Sequence, residues 1–300
     1  MYFNLGVPLI AGRNNQYRVG LFTVIAFAIA VAIPHAETAD NILNKIWQPN
    51  YPAAFAEIAE LPQTDSSACV LKGIAYSTRF DDLGDTLDLD SAYIALVKCK
   101  SSGFWESLRK YQIGFLHSLF GNTIKSISET RSAAQEFSLR SDFESQAFFA
   151  IYNYYAETLT NWLPFVESKS ETYLANIKNG FEKSSRFSPL FGTTLAWMLY
   201  DKKQYAEALE ISEALLKHYP NQPVFLQLKA DMLYKLERKE EAIAIYEQSE
   251  KDYKMRAPNS TRYWCAVANL AIMTGDKKWK EKLQSQEFKN IKHLMPPSLL

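Results

Sequence analysis

Residues that could support catalysis or metal binding are few and widely separated in this 300-residue chain. After residue 36 the histidines are His117, His218 and His293. None has a second potential ligand three or four positions away on a helix. We find no glycine-rich phosphate loop, nucleophile elbow or zinc-protease helix. The sequence therefore predicts a protein without catalytic residues, metal ligands or a cofactor, in which His117 packs in a helix contact or groove.

Acidic residues cluster between Phe80 and Asp90. A calcium loop requires alternating acids, a central glycine and a terminal glutamate, and this segment lacks that spacing. The pattern favours a solvated loop in which Asp90 caps the helix that follows, from Ser91 to about Lys100.

Residues 1–36 have the composition of a secretory signal. Residues 1–18 carry two arginines and no acid, and residues 19–34 form an apolar run that is followed by His35 and Ala36. The apolar run is about 16 residues long, shorter than the roughly 20 that cross a bilayer. We predict a signal peptide ending near Ala36 and an exported, periplasmic or envelope-associated protein. An uncleaved signal anchor is the alternative.

The three cysteines fit an exported protein, because disulfides persist outside the cytoplasm. Cys69 lies near the start of a predicted helix at 68–78, and Cys99 lies near the end of the helix at 91–100. If these helices pack antiparallel, their Cα atoms come within bonding reach. We predict a Cys69–Cys99 disulfide and a free Cys265; the alternative is two small buried side chains in a helix contact.

Overall composition indicates a folded protein without a charged binding surface. Apolar residues make up 47% of the chain, and 33 basic residues balance 33 acidic ones. This balance gives no electrostatic footprint for nucleic acid or anionic lipid. From Asp40 onward helix signals dominate, and no segment has a convincing strand pattern.

The same helical pattern occurs twice between Ser188 and Tyr253. The paired positions, each 34 residues apart, are Leu199 and Leu233, Tyr200 and Tyr234, Ala196 and Ala230, Ala208 and Ala242, and Tyr219 and Tyr253. A 34-residue period is typical of a helix–turn–helix repeat array. In the predicted helix 204–217 apolar residues recur every three or four positions, so each helix pair must stack on a neighbour to bury its faces.

These residues resemble the tetratricopeptide repeat (TPR) family. Its small-residue and closing positions are matched by Ala196, Ala208 and Pro220, then by Ala230, Ala242 and Tyr246, and further upstream by Gly114, Ser126 and Ala133. The chain departs from the pattern at Gly192, where the family has tryptophan, and at Lys254, where it has proline. The resemblance implies an all-α fold of antiparallel helix pairs stacked as a TPR-like right-handed superhelix, an α-solenoid.

The resemblance also implies a domain organisation. We expect a signal segment at 1–36, degenerate TPR-like helix pairs at 37–187, two clear repeats at 188–254 and a C-terminal capping pair at 255–300. Within that last pair we expect one helix from Lys277 to about His293.

In the TPR family the first helix of each pair lines a concave groove that binds a protein segment. Carried over to this chain, the groove positions are Tyr111, Phe115, Thr193, Trp197, Tyr200, Asp201, Gln227, Asp231, Tyr234, Lys235 and Asn269. The resemblance thus implies a non-catalytic scaffold whose partner is another protein or an extended peptide, with membrane contact only through an uncleaved N-terminus. The alternative is an envelope component that binds a lipid or small molecule beside a transporter. It would use the aromatic stretch 147–165 as a pocket, although the pattern favours core packing for that stretch.

Overall fold

The computed structural model describes residues 33–62, 64–160 and 168–291. Most of the predicted signal segment, the end of the aromatic stretch and His293 lie outside these ranges. The described residues form fifteen helices and no strand. Their bounds are α1 (Ile33–Trp47), α2 (Tyr51–Glu60), α3 (Ala68–Leu83), α4 (Thr86–Val97), α5 (Phe104–Leu119), α6 (Thr123–Ser138), α7 (Phe143–Thr160), α8 (Ser170–Lys183), α9 (Ser188–Asp201), α10 (Tyr205–His218), α11 (Pro223–Lys235), α12 (Lys239–Arg256), α13 (Thr261–Thr274), α14 (Lys277–Lys282) and α15 (Gln286–Ile291).

The helices pack in pairs that follow chain order. From α3 onward each odd-numbered helix up to α13 packs on the next helix, and each pair contacts the pair that follows. The two copies of the 34-residue pattern are the pairs α9–α10 and α11–α12. The predicted fold class, an all-α stack of helix pairs, is therefore confirmed.

Helix ends are fixed by local signals in the sequence. The Asp276 side chain accepts a hydrogen bond from the backbone N–H of Lys278 and caps α14, and the Ser260 side chain caps α13. Pro189 and Pro223 occupy the first turns of α9 and α11. Backbone N–H groups in a first turn have no partner within the helix, so the N–H that proline lacks is not needed there. Gly275 ends α13 in the left-handed conformation, with φ of 69°.

The predicted acidic loop at 80–90 is wrong. Helix α3 continues to Leu83 and α4 begins at Thr86, with Asp85 rather than Asp90 as its cap. Asp81 and Asp82 are buried. Their charges are balanced by arginines more than 170 positions away, which a local sequence pattern does not reveal.

The C-terminal end of α3 packs directly on the turn between α12 and α13. A Cβ atom placed on Gly84 would lie 2.7 Å from the Cα of Ser260, so the two backbones touch. Gly84 also has φ of 78°, which favours glycine. The first helix pairs therefore contact the last, and the stack closes on itself.

Aromatic side chains form the centre of the core between neighbouring pairs. The Phe148 ring in α7 lies 5.0 Å from the Phe137 ring and 5.2 Å from the Phe191 ring, measured between centroids. Tyr154 and Tyr155 are buried as well. The described part of the aromatic stretch therefore supplies mainly core.

The C-terminal pair is shorter than predicted. A single helix from Lys277 to about His293 was expected, but the chain forms α14 and α15 with a break between them. The Ser285 hydroxyl accepts a hydrogen bond from the Phe288 N–H, 3.2 Å, which starts the second segment separately. Within the described ranges, no helix has the length and apolarity that a membrane span requires.

Candidate functional site

The predicted groove residues lie on the first helices of their pairs, but most are enclosed by other parts of the chain. Those that are buried are Tyr111, Phe115, Thr193, Trp197, Gln227 and Asn269. Tyr200, Asp231, Tyr234 and Lys235 are half-buried, and Asp201 is exposed. These residues therefore do not form a groove that is open along its whole length.

Helix α1 covers one end of this face. It buries Ile42, Leu43 and Ile46 completely, and its Trp47 ring stacks on Phe225 at the start of α11, with centroids 6.2 Å apart. The Gln222 Nε2 donates to the Trp47 carbonyl, 2.8 Å. The buried residues of α1 recur at helical spacing. This spacing did not show where α1 begins or which part of the protein it packs against.

An ion pair with the buried Arg186 holds the middle of α1. Asp40 lies 3.3 Å from the Arg186 guanidinium and accepts a 2.8 Å hydrogen bond from Ser185. Arg186 also lies 3.6 Å from Glu144, and both side chains are buried. Burial raises the pKa of Glu144 to about 7, while Arg186 and the Ser184 hydroxyl act in the opposite direction. Burial disfavours the charged form of Arg186 as well, and so lowers the pKa of this arginine.

A second charged network joins α3 to α12 and α13. Asp82 accepts hydrogen bonds from Arg256 Nη2 at 2.7 Å, from Tyr51 at 3.3 Å and from the Tyr253 hydroxyl. Burial and the adjacent Asp82 carboxylate raise the pKa of both tyrosines. The pairing satisfies the buried charges, so the network closes the stack rather than presenting a reactive group.

In the same network, Arg262 pairs with Asp81 and donates to the predicted groove residue Gln227 at 2.8 Å. A cavity of about 10 Å³ lies beside this pair. It holds no more than one water molecule, so it is far too small for a lipid chain or a metabolite.

The accessible part of the predicted groove includes, besides Asp201 and Asp231, a surface of tyrosine and lysine at the C-terminal ends of α9 and α11. The Lys235 ammonium lies 5.6 Å from the Tyr200 ring centroid and 5.9 Å from that of Tyr234. Lys239, which the sequence analysis did not include, lies 5.8 Å from the Tyr234 ring. We call these four residues the tyrosine–lysine face.

The Tyr200 side chain of this face is held in place by its neighbours. Its ring contacts those of Trp197 and Tyr205, with centroids 5.4 Å and 5.3 Å away. Rings positioned in this way lose little conformational freedom when they bind a partner, and the lysines add charge. The arrangement suits a polypeptide with apolar and acidic side chains.

The histidines lie apart in the described structure. His117 is buried against the Tyr93 ring, 5.5 Å between centroids, and burial lowers its pKa, with a contribution from Lys125. His218 is exposed at the end of α10. Among residues 33–62, 64–160 and 168–291, no three histidine, cysteine or acidic side chains group closely enough to hold a metal ion.

The structure brings Cys69 and Cys99 together in a disulfide. Their Cα atoms lie 5.6 Å apart, within the range that this bond requires. The bond joins the start of α3 to the residues just after α4, which pack against each other. Cys265 is a free thiol buried in α13, where burial raises its pKa.

No protein-family model matches this chain, and no curated protein matches its sequence. Among solved structures, it is similar to a Rap protein complexed with competence and sporulation factor. The two are 16% identical with a TM-score of 0.49, and the match covers 87% of this chain and 77% of that one.

Proposed function

We propose that this protein is a non-catalytic scaffold of the TPR type that binds a segment of another protein through the tyrosine–lysine face. The observation that supports this most strongly is the position of Lys235 between Tyr200 and Tyr234. The two tyrosines occupy equivalent positions of consecutive repeats, so the same side-chain type recurs along one surface. Repeated positions of this kind suit a partner that runs across several repeats.

The chemistry of the face favours an extended segment that carries acidic and apolar side chains. Acidic groups would pair with Lys235 and Lys239, and apolar groups would pack on the exposed parts of the rings. The small cavity beside Arg262 gives no support to the lipid-binding or metabolite-binding alternative. Mechanistically, the scaffold would hold its partner by many weak contacts on a preformed surface.

We further propose that the scaffold acts in the bacterial envelope. The composition of residues 1–36 and the Cys69–Cys99 disulfide support export. Cleavage near Ala36 would remove the first turn of α1, which begins at Ile33, and leave the buried residues from Ala39 onward in place. An intact mass corresponding to a chain that begins near Glu37 is expected; the full-length mass in the soluble cytoplasmic fraction would contradict export.

Site-specific photo-crosslinking tests the binding surface. A photoreactive residue replaces Tyr234 in the full chain, and a matched variant carries it at Gln248, which is exposed on α12 in the same repeat. We expect a discrete protein adduct from position 234 that is absent from position 248 and lost when Lys235→Glu is added. Lipid adducts, or identical adducts from both positions, would contradict the proposal.

A further inference from the structure

A polar cavity lies where the N-terminal helices meet the later repeats. Its walls include Trp47 from α1, Thr78 and Asp81 from α3, Thr193 from α9 and Arg262 from α13. All five residues are buried. The cavity volume is about 10 Å³, close to the lower limit for holding one water molecule.

Two of the lining residues carry polar atoms that no described residue satisfies. The Trp47 indole Nε1 is a donor and the Asp81 Oδ1 is an acceptor, and both are buried without a hydrogen-bond partner among the residues described. Trp47 is 4% exposed and Asp81 is 3% exposed. Buried polar groups in native proteins are almost always paired, so each of these atoms needs a partner, and both belong to residues that line one cavity.

We infer that this cavity binds one water molecule that bridges Trp47 and Asp81. The water would accept a hydrogen bond from the Trp47 indole N–H and donate one to Asp81 Oδ1. The hydroxyls of Thr78 and Thr193 donate to backbone carbonyls, at 2.8 Å and 2.7 Å. Each hydroxyl therefore retains lone pairs that can accept the second water hydrogen, which gives the bonding typical of a buried water.

Charge and size exclude other occupants. Asp81 is already paired with Arg262 and Asp82 with Arg256, so the site has no net negative charge to balance a cation. The Asp81 carboxylate in the lining disfavours an anion. Ammonium has the size of water but would leave an uncompensated buried charge and could not accept the indole N–H. A neutral water satisfies both atoms.

The bound water would complete the contact between α1 and the closed stack. Trp47 already contacts Phe225 through its ring and Gln222 through its carbonyl. A water-mediated bond to Asp81 links the same residue to the Asp81–Arg262 pair. One water molecule would thus link α1 to the ion pairs that close the stack.

A high-resolution crystal structure of the protein, grown without ammonium salts, tests the inference directly. We expect one density peak within hydrogen-bond distance of both Trp47 Nε1 and Asp81 Oδ1. A direct bond between these two atoms, or a cavity without density, would overturn the proposal.

A solution measurement separates water from ammonium and does not depend on crystals. The Trp47 indole resonance, assigned from its loss in Trp47→Phe, should show a cross-peak to long-lived water and no saturable shift on adding ammonium chloride. Thr193→Ile, whose larger side chain enters the cavity, should abolish the cross-peak. A saturable ammonium shift, or no water cross-peak in the unmodified protein, would contradict a bound water.

Discussion

Arg262 in α13 and Asp81 in α3 form an ion pair inside the protein, although 181 positions separate them along the chain. Both side chains are 4% exposed. In an open solenoid each repeat contacts only its neighbours. In this protein the Asp81–Arg262 pair joins α3 to α13, and the adjacent Asp82–Arg256 pair joins α3 to α12. The closed stack explains why much of the predicted groove is buried.

The closing ion pair should contribute strongly to stability. Arg262→Met leaves Asp81 buried without its partner, and we expect the free energy of unfolding to fall by about 3–5 kcal/mol. Urea denaturation measures this change. The matched control is Arg238→Met, which removes the exposed pair with Glu241 and should leave the unfolding midpoint nearly unchanged. Equal effects of the two substitutions would show that the buried pair does not hold the stack closed.

The Glu144 carboxyl should make stability depend on pH near neutrality. Burial raises its pKa from 4.5 to about 7 in the folded protein, so the folded state binds this proton more tightly than the unfolded state. The resulting stabilisation is complete below pH 4.5 and is lost as the pH rises through about 7. The shift corresponds to at most about 3 kcal/mol.

Glu144→Gln isolates this contribution, because glutamine resembles the neutral carboxyl and can still accept the Ser184 hydrogen bond. Denaturation of both proteins at pH 5 and pH 8 should show a smaller loss of stability with rising pH in the variant. The other charged groups near this site, Arg186, Asp40 and Asp142, are unchanged in it. The same pH dependence in both proteins would refute the assignment to Glu144.

Gly114 permits the close contact of α5 with α6. A Cβ there would lie 2.6 Å from Thr130 Cγ2 and 3.0 Å from the Thr130 backbone nitrogen, so Gly114→Ala requires the helices to separate. We expect a loss of about 1–3 kcal/mol. Gly192→Ala is the control, because its Cβ meets side chains rather than backbone, the ring of half-buried Phe181 at 2.7 Å and Leu215 Cδ2 at 3.2 Å, and alanine favours a helix. A larger loss for Gly192→Ala would contradict this account of the contact.

Thiol counting checks the state of the cysteines in the purified protein. The denatured, unreduced chain should give one reactive thiol, from Cys265, because Cys69 and Cys99 are bonded. Reduction should lower stability by around 3 kcal/mol, the chain-entropy value for a loop of this length. Three thiols before reduction would rule out the bond.

Features encoded locally could be predicted from the sequence. The 34-residue period identified α9 to α12. The placement of Cys69 and Cys99 followed from two short helices and their expected packing. These predictions depend on interactions within one repeat or between neighbours, where spacing along the chain determines spacing in the structure.

The closure of the stack could not be predicted in this way. Asp81 and Asp82 resemble a solvated loop until their arginine partners are known, and those partners lie at the far end of the chain. The position of α1 over the groove likewise depends on Arg186 and Gln222. The family resemblance assigned groove residues by repeat position alone, and repeat position does not show what covers them.

The family resemblance assigns both Trp197 and Tyr234 to the groove, but only Tyr234 is accessible. The Trp197 side chain is 3% exposed, so Trp197→Ala should lower stability by about 3–5 kcal/mol through loss of core contacts. Tyr234 is half-buried on the tyrosine–lysine face, and Tyr234→Ala should change the melting midpoint much less. Thermal denaturation of the two variants measures the difference.

The most direct test of the proposed scaffold is the affinity of Tyr234→Ala for the protein captured by crosslinking at that position. Calorimetric titration of the purified partner should show binding weakened by about 1–3 kcal/mol relative to the unmodified chain. The variant should keep its melting midpoint, which excludes unfolding as the cause. Unchanged affinity for a partner that binds the unmodified chain would contradict the tyrosine–lysine face as its binding site.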